Sequence, residues 1–178
     1  DNTVPDSQND VSLDIDLKRD NASLAVDMRR NEMNGSMFVT GGGAESEMEL
    51  NTTNNTVEAP GTAIDLKVQP NDAANQSIEA VVSDNRVNGT GGSISVVASA
   101  PSSTANVTIS DNSLTETGTN EGLLVRADRD NMTFDATIRN NTVSDPPDIA
   151  GIKTSVNGHD TTANVSLTNN TVDAKADA

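Results

Sequence analysis

One asparagine returns seven times along the chain, at Asn2, Asn31, Asn55, Asn85, Asn112, Asn141 and Asn170, and each time an apolar side chain stands two residues further on. Those partners are Val4, Met33, Val57, Val87, Leu114, Val143 and Val172. Successive asparagines lie 29, 24, 30, 27, 29 and 29 residues apart, a mean of 28. A period of this size marks a solenoid, because each repeat is one coil that cannot bury its own apolar face and must stack on its neighbours.

The residues leading into each asparagine alternate. Five and three positions before it stand Val26 and Met28, Leu50 and Thr52, Ala80 and Val82, Val107 and Ile109, Ala136 and Ile138, Val165 and Leu167, with polar neighbours between them in almost every repeat. This is the period-2 pattern of a strand with one face buried. A second run follows each asparagine: Leu13, Ile15 and Leu17; Met37 and Val39; Ile64, Leu66 and Val68; Ile94, Val96 and Ala98; Leu123, Val125 and Ala127; Ile152 and Val156. The distance from asparagine to this second run varies, so insertions fall in that connection. No segment repeats apolar residues at three and four, and the Gly, Asn, Asp and Thr content disfavours helix. The expectation is an all-β, single-stranded parallel β-helix spanning residues 1–178, with about six coils of 24–30 residues, two strands to a coil, and a length on the order of 30 Å.

The core has to be built from small residues. The chain has no Trp, Tyr or Cys and only two Phe, whereas globular cores lean on aromatics for buried area. Val, Ile, Leu and Ala suit the narrow interior of stacked strands. The recurrent asparagine has its own physical reason: it tolerates the left-handed backbone of a sharp turn, and its amide can donate to and accept from the amides of adjacent coils, forming a ladder. A buried amide without such partners costs roughly 1–3 kcal/mol.

The stretches Asn106-Val107-Thr108-Ile109-Ser110-Asp111-Asn112-Ser113-Leu114 and Asn164-Val165-Ser166-Leu167-Thr168-Asn169-Asn170-Thr171-Val172 resemble right-handed parallel β-helix repeats. They are similar to those of secreted bacterial and archaeal surface proteins, autotransporter passengers and polysaccharide-acting enzymes. The resemblance covers the whole chain and implies the fold; it implies little about function, since that fold hosts lyases, hydrolases, adhesins and plain stalks. The second coil departs from the pattern, with a short Met37-Phe38-Val39 run and Gly41-Gly42-Gly43.

Charge narrows the partners. A formal net charge of -16 and a pI near 4.1 argue against nucleic acid or an anionic membrane surface, which need a basic patch. The densest basic spots, Arg29-Arg30 and Arg126 with Arg129, are flanked by acidic residues. No apolar run is long enough to span a bilayer. The Asp-heavy acidity and the excess of Arg over Lys also fit a high-salt source, although Asp and Asn are what tight solenoid turns require.

Chemistry is hard to find. Enzymes of the resembling fold build a groove from long loops lined by carboxylates with Arg or Lys; here the longest candidate loops are Gln69 to Gln76, Thr115 to Gly122, and Ser144 to Ala150 with Pro146-Pro147, and none carries a paired acid and base. Asp128-Arg129-Asp130-Asn131, or Asp14 with Asp16 on one strand face, offers oxygens for Ca²⁺, but alternating Asp on a solvated strand or turn is the commoner origin of such a pattern. His159, the single histidine, lies in a turn with no nucleophile or second histidine to work with. Gly41 to Gly43 and Gly89 to Gly92 lack the context of a phosphate loop and read as turns. Thr108, Ser110, Thr137, Ser166 and Thr168 form a candidate outward column for docking sugars or ordering water, which simple β-propensity also explains. Eleven glycosylation sequons start at Asn21, Asn34, Asn51, Asn54, Asn75, Asn88, Asn106, Asn131, Asn140, Asn164 and Asn169.

The expected function is therefore a non-enzymatic structural or adhesive β-helical segment of a secreted or cell-surface protein: a stalk, a matrix fibre or an end-to-end filament. The alternative is the scaffold of a polysaccharide lyase or glycoside hydrolase whose catalytic loops lie outside the segment. No cofactor, metal or catalytic residue is expected. The partners are neighbouring coils or copies of the chain end to end, with glycans as a further class. Both ends repeat the same point of the period with no sequence for a cap, so the segment is expected to continue into further coils or to stack on itself.

Overall fold

A computed structural model describes residues 2–4, 11–17, 19–41, 43–58, 62–68, 74–88, 93–115, 121–144 and 151–173. The chain winds as a parallel β-solenoid in which each turn lays down three strands, one in each of three sheets. The first sheet holds seven short strands: β1 (Asn2–Val4), β4 (Asn31–Asn34), β7 (Thr56–Glu58), β10 (Arg86–Asn88), β13 (Ser113–Thr115), β16 (Thr142–Ser144) and β19 (Thr171–Asp173). The second holds β2 (Val11–Leu17), β5 (Ser36–Gly41), β8 (Thr62–Val68), β11 (Ser93–Ala98), β14 (Leu123–Ala127) and β17 (Ile152–Val156). The third holds β3 (Ser23–Arg29), β6 (Glu47–Thr53), β9 (Ser77–Ser83), β12 (Thr104–Ser110), β15 (Thr133–Arg139) and β18 (Thr162–Thr168). All described pairings are parallel, each strand bonding to its counterpart one turn away.

Two of the three sheets follow the alternation in the sequence. The third-sheet register stacks Val26, Leu50, Ala80, Val107, Ala136 and Val165 in one column and Met28, Thr52, Val82, Ile109, Ile138 and Leu167 in the next. The second sheet stacks Leu13, Met37, Ile64, Ile94, Leu123 and Ile152. The expectation of two strands per coil is corrected to three. A further short strand opens at Asn2 and Asn31 and at the residue after each of the other five asparagines, and its central side chain, such as Val57, Val87 or Val143, is completely buried. That burial is why an apolar residue recurs two positions after the asparagine. Phe134 is the one large aromatic in the core, at 1 % exposure.

The corners are made by left-handed residues, but not by the asparagines expected to supply them. Positive φ falls one residue earlier, at Arg30, Asn54, Asp84, Asp111, Asn140 and Asn169, leaving the recurrent asparagine free to turn its amide inward. A second column of left-handed residues, ten positions before each recurrent asparagine, is Asn21, Glu45, Asn75, Ser102, Asn131 and Asp160. The third-sheet strand between these two corners is seven residues long in every turn. The short second coil closes its first-to-second-sheet connection with the single residue Gly35, whose φ of 137 lies in a region that suits glycine. Gly41, expected in a turn, ends β5 instead; a Cβ there would sit 2.1 Å from Met48 Sδ.

The two ends of the stack differ. In β3, Val26 and Met28 are 8 % and 4 % exposed, whereas in β18 their column partners Val165 and Leu167 are 36 % and 50 % exposed. Val172 of β19, at 45 %, is likewise open.

Candidate functional site

The asparagine ladder is the most ordered polar feature of the molecule. Asn55 Oδ1 accepts both the backbone N–H of Asn31 at 2.9 Å and its side-chain amide at 2.8 Å. Asn85, Asn112, Asn141 and Asn170 each accept the same pair of bonds from the asparagine one turn before, at 2.9–3.1 Å. The second amide hydrogen of each turns back to a carbonyl of the preceding turn, at Met28, Thr52, Val82, Ile109 and Ile138. Every asparagine-to-asparagine bond points the same way, donor before acceptor in chain order, while the bonds to carbonyls run the other way. Asn55, Asn85, Asn112 and Asn141 are at most 2 % exposed, so these bonds replace water that cannot reach them. Asn2 holds the same register position, opposite Asn31 in the β1–β4 pair.

A second polar column, nine positions before each ladder asparagine, escaped sequence reading. It runs through Ser46, Gln76, Ser103, Met132 and Thr161. Ser103 Oγ accepts the Gln76 backbone N–H at 2.8 Å, Thr161 Oγ1 accepts that of Met132 at 3.3 Å, and Gln76 Nε2 donates to the Gly43 carbonyl at 2.6 Å. The residues differ from turn to turn, so no repeat shows in the sequence. Position, rather than identity, is the signal.

The acidic clusters considered for Ca²⁺ resolve into corner locks. Asp130 Oδ1 accepts the His159 backbone N–H at 2.7 Å, and Asp20 Oδ1 accepts that of Ala44 at 2.8 Å. Thr161 Oγ1 donates to the Arg129 carbonyl at 2.9 Å as Ser46 Oγ donates to that of Arg19 at 3.0 Å. Arg19-Asp20-Asn21 and Arg129-Asp130-Asn131 thus build one device twice, and the turn above each supplies a glycine. A Cβ on Gly43 or Gly158 would fall 1.7 Å or 1.8 Å from the arginine carbonyl oxygen. Asp128 is held by Arg126 Nε and by Asn157 Nδ2 at 2.8 Å. Asp14 and Asp16 do share the outer face of β2, as expected. Among the described residues no three carboxylate or imidazole side chains gather closely enough to hold a metal ion. His159 is exposed on its corner and touches the fold through its backbone.

The outer faces hold ordinary ion pairs. Arg139 lies 3.5 Å from Asp111, and Lys153 lies 2.6 Å from Glu121. The Asp111 carboxyl is held below its usual range mainly by the Asn140 amide, then by Ser110 and Arg139; Glu121 is lowered chiefly by its hydrogen bond from Lys153. Glu49 and Glu79 stand opposite one another on β6 and β9, beside Glu47. They form a cross-strand carboxylate pair that was not singled out from sequence, because thirty residues separate them. The expected outward Ser/Thr column splits in two. Thr108, Thr137 and Ser166 align, but Ser110 and Thr168 are separated by Arg139, and Ser110 is buried at 2 % exposure where β12 turns into the ladder.

Six of the eleven sequons acquire a structural origin. Asn21, Asn75 and Asn131 occupy one left-handed corner column and Asn54, Asn140 and Asn169 the other, and the hydroxyl residue two positions on starts or lies at the start of a strand. Two independent columns, one favouring Asn for its backbone and one favouring Ser or Thr for strand formation, intersect to write the triplet. The candidate loop residues 69–73, 116–120 and 145–150, the glycines at 42 and 89–92, and the tail 174–178 lie outside the described residues.

Comparison with protein-family models, with curated proteins and with solved structures finds no match to this chain.

Proposed function

We propose that the chain is a non-enzymatic structural or adhesive β-solenoid segment of a secreted or cell-surface protein, serving as a stalk, matrix fibre or filament unit. One observation carries this reading: the recurring polar side chains are spent on joining each turn to the next. The ladder asparagines, Asp20, Asp130, Asp128, Ser46 and Thr161 all have partners one turn away. Side chains committed to coil-to-coil bonds hold the stack and are not poised for proton transfer to a substrate. Neighbouring coils or further copies of the chain are the partners this reading implies. The exposed corner sequons make glycans a further class of partner or modification.

The deciding assay incubates the chain with acidic and neutral polysaccharides, following both product release and retention on the polymer. Retention without new reducing ends or unsaturated products is the expected result. Turnover that disappears on changing Glu49, Glu79, Asp128, Asp130 or His159 sinks the structural reading in favour of a polysaccharide-acting scaffold. Detection on intact cells of the source with an antibody to the chain checks the location; a signal seen only after lysis argues against the surface.

A further inference from the structure

The corner after β17 carries a reactive dipeptide that the stack itself imposes. Asn157 is followed by Gly158, and a side chain at 158 is excluded because its Cβ would fall 1.8 Å from the Arg129 carbonyl oxygen. In an asparagine-glycine pair the glycine nitrogen reaches the asparagine amide carbon with least obstruction, since the second residue has no side chain in the way. Asn157 is exposed. Its Oδ1 accepts the Ser155 hydroxyl at 3.0 Å, and its Nδ2 donates to Asp128 Oδ1 at 2.8 Å. The Gly158 N–H has no acceptor among the described residues.

We infer that Asn157-Gly158 is a self-modifying site, at which the chain converts an amide into a carboxylate with water as the co-reactant. Gly158 N gives up its proton to solvent base and bonds to Asn157 Cγ. The Cγ–Nδ2 bond breaks, and that nitrogen takes a proton from water and leaves as ammonia. Water then opens the cyclic imide at either carbonyl, leaving aspartate or isoaspartate at 157. Ser155 Oγ stands where negative charge gathers on Oδ1 as the new bond forms, and a hydrogen bond aimed there strengthens in that state. The reaction goes beyond the structural reading above and does not depend on it.

A second pair shows what selects this one. Asn34-Gly35 has the same two residues, yet Gly35 is buried and its N–H donates to the Glu58 carbonyl at 2.7 Å. Attack from Gly35 has to break a buried bond first, and attack from Gly158 does not. The glycine of a third pair, Asn88-Gly89, lies outside the described residues. The product changes the corner. A carboxylate at 157 no longer donates to Asp128, and it sets a like charge against a side chain only 16 % exposed. Isoaspartate also adds a methylene to the backbone between β17 and the lock made by Asp130 with His159 and Thr161 with Arg129. The modification is a one-way loosening of that corner.

The test ages the folded chain at mildly alkaline pH beside a sample denatured in urea, and follows each asparagine by peptide mass spectrometry. In urea Asn34 and Asn157 should convert at similar rates, because only the local sequence then acts. In the folded chain Asn157 should convert at least about tenfold faster than Asn34, the size expected for freeing a buried N–H from its acceptor. Equal folded-state rates, faster conversion at Asn34, or an intact Asn157 overturn the inference. Hydrogen exchange checks the premise separately: the Gly158 amide should exchange much faster than that of Gly35, and matched protection overturns the inference as well. Ser155→Ala should slow conversion of Asn157 several-fold in the folded chain and leave the rate in urea unchanged. An equal or higher folded-state rate overturns the part given to the Ser155 hydroxyl.

Discussion

Replacing Asn112 with alanine removes the most connected side chain of the ladder. Its Oδ1 accepts two bonds from Asn85, each at 3.0 Å, and its Nδ2 donates to Asn141 Oδ1 and the Val82 carbonyl at 2.9 Å and to the Ser110 carbonyl at 3.0 Å. Two losses dominate. The Asn85 backbone N–H is left without an acceptor, and Asn141 Oδ1 loses a donor, both in a region at most 2 % exposed. An orphaned buried polar group costs about 1–3 kcal/mol. Because alanine also leaves a gap that one water can partly fill, the net cost should be about 2–4 kcal/mol. Asn157→Ala is the control: its bond to Asp128 at 2.8 Å is exposed, and surface changes of this kind stay within about 0.5 kcal/mol. Urea melts followed by circular dichroism give the totals. Since stacked repeats can open in parts, hydrogen exchange at Asn85 and Asn112 gives the local effect. Equal losses for the two variants, or unchanged exchange at Asn85, would refute the assignment of stability to the ladder.

Three further outcomes are expected. Thr52 is fully buried and its hydroxyl has no partner among the described residues, in a column otherwise filled by Met28, Val82, Ile109, Ile138 and Leu167; Thr52→Val should raise stability by about 1 kcal/mol, and a lower urea midpoint would show that the hydroxyl is satisfied. Gly158→Ala should destabilise by at least about 1–3 kcal/mol, since the Cβ meets the Arg129 carbonyl carbon and oxygen; a melting temperature equal to that of the parent would mean the corner moves freely. Asp111 and Glu121 have lowered folded-state pKa values, so their stabilisation is present above the ordinary carboxylate range and is lost as pH falls through the folded values. Asp111→Asn should therefore lose less stability than the parent between pH 7 and pH 3. A larger loss in the variant reverses the sign and rejects the linkage.

The fold was legible because a ladder needs the same side chain at every rung, and a run of seven asparagines at near-constant spacing cannot hide. The two longer strands were legible for a similar reason: five to seven residues display alternation. The first-sheet strands did not show, because three residues around Val57 or Val143 are too few to reveal a period. The left-handed corner was misplaced by one residue where Asn54-Asn55, Asn140-Asn141 and Asn169-Asn170 present two asparagines side by side, and sequence alone does not say which carries the positive φ. The corner locks stayed hidden because their partners, such as Asp20 with Ala44 or Asp130 with His159, meet only after a full turn. Their carboxylates read as metal ligands in one dimension and as N–H acceptors in three. Ser110 alternates as an outward residue and is nevertheless buried between Ser83 and Arg139 of the adjacent turns, although Arg29, Arg139 and Thr168 at the same position are exposed.

The common axis of the coil-to-coil bonds has a mechanical consequence. Sheet ladders and amide ladder alike lie along the stacking axis, so tension applied at the two ends of the chain loads the turns in series, and the outermost turn, held from one side only, opens first. The molecule should then be compliant in steps. Each turn that peels away frees roughly 28 residues, or roughly 90 Å of extended chain, before the next turn takes the load. A pull across the axis instead loads many turns at once, in parallel. The same bonds that make a soft extensible tether in one geometry make a stiff bar in the other, and the direction of anchoring decides which one is met.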